Sequence, residues 1–207
     1  MKNKTLALID GFSLGGAETQ LLSIEKYNVF EELTIIALEK NTFHLENKNY
    51  ENIFFLYEKK FKNKLHKYLL FPFLLIQLLK LLYQLKKKND ITIISFLIYS
   101  NFINLLSSLF ISKRTIVSQR TSLIRLKEKY FGVYWLISKL FYFSDVVVVP
   151  STGIFTEFIE LGYNQDQLRV INNFSDFELF REIKFEKSQR KYFIMVSRLI
   201  EDKRHID

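Results

Sequence analysis

Residues 145–176 read DVVVVPSTGIFTEFIELGYNQDQLRVINNFSD, and this stretch decides the fold. Asp145 leads into four valines, an apolar β-branched run suited to a strand buried on both faces. Pro150 stops it. Ser151 is placed to cap a helix, and Thr152 to Leu161 alternates apolar and polar residues at helical spacing, with Gly162 as the stop. A short second strand, Leu168 to Ile171, runs into the polar elbow Asn172-Asn173-Phe174-Ser175-Asp176. Strand, helix, strand and polar turn make one unit of a parallel α/β sheet. Functional residues in such sheets gather where strands end, so the elbow marks one edge of a cleft.

The whole chain has 207 residues, enough for one complete domain and part of another. A hydrophobic content of 48% with 25% charged residues is that of a globular protein with a real core. Six glycines and two prolines argue against long linkers, and no repeat or low-complexity tract is visible. There is no cysteine, which excludes a disulfide scaffold, a thiolate zinc site and a cysteine nucleophile. The net charge of +8 invites a nucleic acid, an anionic membrane surface or a phosphorylated ligand. The first apolar run, Thr5 to Ile9, is too short for a secretory signal, and a cytoplasmic location is expected.

Thr5 to Ile9 reads as the first strand. It leads into Gly11-Phe12-Ser13-Leu14-Gly15-Gly16-Ala17-Glu18 and a helical stretch, Thr19 to Tyr27. Glycine at 15 and 16 removes side chains where backbone must come close to something, and amides at the start of the helix favour an anion there. A tight strand-to-helix turn accounts for the same residues. Leu33 to Leu38 and Ile53 to Tyr57 are the next strands. Residues 59–67 carry Lys59, Lys60, Lys62, Lys64, His66 and Lys67 ahead of an apolar stretch, Tyr68 to Leu85, which Lys86, Lys87 and Lys88 close. With Pro72 and Lys80 inside it, that stretch is marginal as a membrane span of about 20 residues. A helix lying in a membrane interface fits it better, and a helix covering the sheet is compatible with that.

Ile91 to Phe96 is a fourth strand, ending at Ser95-Phe96, and Tyr99-Ser100-Asn101-Phe102 opens a helix to about Phe110. Arg114 to Val117 is a fifth, ending at Ser118-Gln119-Arg120-Thr121-Ser122. An arginine at a strand's C-terminal end suits a substrate oxyanion, and equally suits a loop cap or an acid partner. A long helix, Leu123 to roughly Phe143, carries Arg125, Lys127 and Lys129 on its first turns, an unfavourable placement that hints at an external anionic partner. Residues 177–190 form a charged connector. Tyr192 to Val196 is a new strand, followed by Ser197-Arg198-Leu199-Ile200-Glu201-Asp202-Lys203, the start of a second α/β domain.

Three separated stretches resemble one family. Gly15-Gly16-Ala17-Glu18 resembles the GGAE loop of the family 4 (group 1) glycosyltransferases, which have the two-domain GT-B fold. Val170-Ile171-Asn172-Asn173-Phe174-Ser175-Asp176 resembles that family's V-I-x-N-x-x-D elbow. Val196 to Lys203 resembles the first strand and loop of its nucleotide-binding domain, V-G-R-L-x-x-x-K, with Ser197 in place of the usual glycine. The resemblance implies a Rossmann-like parallel sheet flanked by helices. It places an acceptor-side domain at 1–176, a connector at 177–190 and the truncated start of a nucleotide-sugar domain at 191–207, with a hinge at Asn173 to Asp176. The family's E-x₇-E segment would lie beyond Asp207.

The implied reaction moves a sugar from a nucleotide-diphosphate donor to a surface-glycan or lipid-linked acceptor, with retention, in bacterial polysaccharide synthesis. No cofactor or metal is implied. Arg198 and Lys203 would neutralise the departing diphosphate as catalytic and donor-phosphate residues, with Gly15 and Gly16 contributing amides from the other domain. Ser95, Asn101 and Arg120 would hold the acceptor. The cytoplasmic membrane surface is an expected partner, and the apolar stretch at 68–85 would face it. The three histidines, His44, His66 and His205, suggest no base. The alternative is an inactive remnant or a binding module for acceptor and membrane. Nucleic acid is set aside because the basic residues flank an apolar helix and lack interleaved aromatic platforms.

Overall fold

The computed structural model describes residues 2–13, 15–41, 52–86, 89–111, 113–129 and 131–174. Seven strands, β1 (Lys2–Ile9), β2 (Leu33–Ala37), β3 (Ile53–Phe55), β4 (Asn89–Phe96), β5 (Arg114–Ser118), β6 (Val146–Val149) and β7 (Leu168–Val170), form one sheet in the order β3-β2-β1-β4-β5-β6-β7. Every pairing is parallel. The order reverses between β1 and β4, the place where open parallel sheets leave a crevice beyond their C-terminal strand ends.

The apolar runs explain why the sheet is covered on both sides. Along β1, Leu6 and Leu8 join one cluster while Ala7 and Ile9 join another, and all four are buried. α1 (Gly16–Lys26) covers the Ala7–Ile9 side through Leu21. α3 (Phe71–Lys86) and α4 (Ile98–Ser108) cover the other side, with Leu74, Leu78 and Leu82 of α3 spaced at one turn each and all sealed from solvent. Further along, α5 (Leu123–Lys129), α6 (Phe131–Leu140) and α7 (Thr152–Glu160) pack on β5 to β7. Phe141 and Phe158 meet edge to face there, with ring centroids 5.4 Å apart.

The strand–helix–strand unit at 146–170 folds as its sequence reads. β6 alternates half-buried and buried valines, Ser151 Oγ accepts from the Ile154 amide at the start of α7, and Gly162 adopts φ +86° just past the helix's end. The helices differ in detail from the expectation. A short helix, α2 (Lys64–Leu69), precedes α3, capped by Asn63 Oδ1 accepting the His66 amide at 2.8 Å. Pro72 is tolerated because it sits in the first turn of α3, where no intrahelical bond is lost. The stretch expected as a helix over 123–143 is helical over 123–129 and 131–140 and closes in a 3₁₀ turn, Phe141–Phe143.

The described residues belong to one compact unit, Met1–Ser175. The expected connector, the second-domain strand, Arg198, Lys203 and Asp176 lie outside the described residues.

Candidate functional site

The strand ends at the order reversal carry two polar assemblies. The first begins at Asp10, directly after β1. Its Oδ1 accepts both the Ser100 amide (2.9 Å) and the Ser100 hydroxyl (2.6 Å), and its Oδ2 pairs with Lys67 Nζ at 2.7 Å. Ser100 is in the first turn of α4, so a carboxylate of the chain itself occupies that helix's positive end. Lys67 lies over the Tyr99 ring at 4.2 Å, and the Tyr99 hydroxyl donates to the Lys67 carbonyl at 2.6 Å. Burial pushes the Tyr99 phenol above its ordinary range, with the charge of Asp10 adding to it. Leu97, between β4 and α4, holds φ +74°, a left-handed conformation rare for a branched residue, at the crossing from strand to helix.

The second assembly begins at α1. Gly15 is its N-cap, and a Cβ there would run into the Glu18 carboxylate as placed. Glycine there leaves room for Glu18 as it stands, whose buried carboxylate folds back under the helix start and accepts from the Ser13 hydroxyl at 2.7 Å. Gly16 differs: a Cβ there would meet nothing of the chain within 4 Å. The two glycines therefore do separate jobs. The first makes room for a side chain, and the second leaves open space at the first turn of a helix.

Arg120 spans the sheet's upper edge. From the end of β5 its Nη2 donates to Gln20 Oε1 of α1, its Nη1 donates to Asn173 Oδ1 at 2.9 Å, and its guanidinium lies 5.6 Å from the centroid of the Phe96 ring at the end of β4. Arg120 Nε is buried with no hydrogen-bond partner among the described residues. Burial lowers the guanidinium's pKa from its ordinary value, and the negative charge of Glu18 partly offsets this. One side chain thus draws together the exits of β4, β5 and β7 and the second turn of α1. Expected to meet a substrate oxyanion, it stands at that strand end and holds two neutral acceptors of the chain itself. Asn173, expected at a hinge, is one of them.

Ser95 and Asn101 are corrected. Both side chains are completely buried and face the protein, not an acceptor. Ser95 Oγ accepts from Asn104 Nδ2 at 3.0 Å, and Asn101 Nδ2 donates to the Ser118 carbonyl at 3.1 Å, tying α4 to the end of β5. A parallel sheet under a helix buries its strand ends, and polar residues there are retained by pairing with one another. The first turn of α5 has a carboxylate too: Glu157 Oε1 of α7 accepts the Ile124 amide at 2.9 Å. Asp10, Lys67, Ser100 and Gln20 carried no local signal in the chain, because their partners lie 57, 90 and 100 positions away.

The sequence matches no protein-family model and no curated protein at a significant level. Solved structures do match the fold. HepE of Anabaena, crystallised with UDP, superposes with a TM-score of 0.65 at 17% identity, over 86% of this chain and 46% of that one. The lipopolysaccharide outer core galactosyltransferase WaaB gives 0.55 at 15% identity, over 81% and 45%. The UDP-GlcNAc 2-epimerase of Methanocaldococcus jannaschii gives 0.55 at 13%, over 82% and 45%. The fold is that of a GT-B Rossmann-like domain, and the chain spans under half the length of these proteins.

Proposed function

We propose that this chain is the acceptor-side part of a nucleotide-sugar glycosyltransferase of the family 4 type, which transfers with retention to a surface-glycan or lipid-linked acceptor. The observation that carries the reading is Gly16: a glycine with no steric reason within the chain, opening a helix whose first turn faces the reversal of a parallel sheet. A diphosphate is a ligand such a helix start favours. HepE, with the matching fold, was crystallised with UDP and with UDP-glucose. Arg120, beside α1, supplies a positive charge at the same strand ends. In this reading Arg198 and Lys203 neutralise the leaving diphosphate from the second domain, and the departing phosphate takes the acceptor's proton without a metal or a histidine base.

UDP titration by calorimetry tests it, with Gly16→Leu as the variant. A Cβ at this position meets no atom of the fold within 4 Å, so the variant should melt near the parent value, while UDP affinity falls about tenfold or more as the side chain fills the phosphate approach. Unchanged UDP affinity in a folded Gly16→Leu protein removes α1 from the donor site. A parent that binds no UDP- or GDP-sugar yet retains a lipid-linked glycan favours the binding-module alternative.

A further inference from the structure

The outer face of α2 and α3 has no role in the strand-end site. Leu65, Tyr68, Leu69, Phe73, Ile76 and Tyr83 are all exposed there, Leu65 by 67% and Leu69 by 70%. On α3, Phe73, Ile76, Lys80 and Tyr83 follow one another at three or four residues, a single outward stripe opposite the buried Leu74, Leu78 and Leu82. Single exposed apolar residues are ordinary, but six on two adjoining helices form a patch that water does not favour.

The charge around the patch selects its partner. From Lys59 to Asn89 the chain contains no Asp or Glu. Lys59, Lys60 and Lys62 are exposed ahead of α2, and Lys80 and Lys86 on α3. An apolar face on a segment whose own charged residues include lysines and no carboxylate, the lysine stems able to lie along apolar surface while their ammonium groups reach phosphate, matches the headgroup boundary of an anionic bilayer. No described helix is long and apolar enough to cross a membrane, and the 16 residues of α3 span about 24 Å against a hydrocarbon core of about 30 Å.

We propose that the outer face of α2 and α3 docks on an anionic lipid surface, lying in the interface. The opposite side of α2 is tied to the strand ends through Lys67 with Asp10 and Tyr99, so docking sets the cleft mouth beside the bilayer. Docking of this kind needs no donor chemistry and is independent of the catalytic reading.

Cosedimentation with vesicles, with no nucleotide sugar added, tests it and leaves donor binding unprobed. The full chain binds phosphatidylcholine vesicles containing roughly 30% phosphatidylglycerol, binds pure phosphatidylcholine weakly, and releases as salt rises. Leu65→Ser, Leu69→Ser and Phe73→Ser combined abolish binding, while circular dichroism stays at the parent spectrum because these side chains face solvent. Lys59→Gln, Lys60→Gln and Lys62→Gln each weaken binding about fivefold. Three results overturn the proposal: no binding to anionic vesicles, serine variants that bind like the parent, or a parent dimer in sedimentation that the serine variants split without any vesicle binding. The last would assign the face to a second copy of the chain.

Discussion

At the scale of single residues, the chain uses its own carboxylates where an anion-binding fold would be expected to leave helix ends open. Asp10 occupies the start of α4, Glu157 that of α5, and Glu18 folds under α1. At the start of α1, however, Gly16 still leaves space that nothing of the chain fills. The consequence for stability is specific. Asp10→Ala removes the acceptor of two Ser100 donors and the partner of Lys67, and should cost about 2 kcal/mol in chemical denaturation. Asp10→Asn, which keeps one acceptor oxygen, should recover roughly half of that. Equal losses in the two variants would mean that the ion pair alone carries the effect. The site's outline was legible because Gly15, Gly16 and Arg120 sit at the exits that the strand pattern marks. Its interior was not, since a carboxylate finds a hydroxyl across 90 positions only once the sheet has formed. Ser95 and Asn101 show the converse error: polar type at a strand end predicted exposure, and burial beneath α4 decided otherwise.

At the scale of elements, strands were read well because buried parallel strands are continuous apolar runs that need no knowledge of neighbours. Helix boundaries were read less well. The stretch 68–85 reads as one apolar helix in sequence, whereas α2 ends at Leu69 and α3 starts at Phe71, and the Asn63 cap of α2 is a turn that hydrophobic periodicity does not register. The opposite case is Gly162. Its φ of +86° beyond α7 is a conformation that a Cβ opposes, although nothing surrounds the site. Gly162→Ala should therefore lower stability by about 1 kcal/mol through backbone strain alone, read as a drop in melting temperature with an unchanged spectrum. No change in melting temperature would show that the turn relaxes into another conformation.

At the scale of the molecule, the buried base of the sheet makes stability depend on pH. Lys113, before β5, donates to the Asn104 side chain at 2.7 Å and to Thr115 Oγ1 at 2.8 Å. Burial brings its ammonium down to about 7, while Asp145 pulls it upward. Above that value the folded chain holds fewer protons than the unfolded one, so stability rises with pH, by about 1 kcal/mol per unit between about pH 8 and 10. Higher still, Tyr99 and Tyr163, whose burial raises their phenols, reverse the trend because only the unfolded chain ionises. Urea titrations across this range check both limbs, and Lys113→Met should flatten the first. A slope unaltered in that variant would assign the pH dependence to other groups.

The register at the centre of the sheet also sets an order of events during synthesis. β1 pairs with β4 from Lys2 opposite Asn89 to Ile9 opposite Phe96. A nascent chain can zip β1 to β2 early, but the second edge of β1 stays open until β4 has left the ribosome. During that interval Leu6, Leu8 and the apolar side of α3 have no finished layer between them. Closing so long a loop is slow compared with forming a local hairpin or helix. The emerging first half is thus the form of this protein most in need of a chaperone, and β4, not the N-terminal strand, is the element whose arrival ends the exposure.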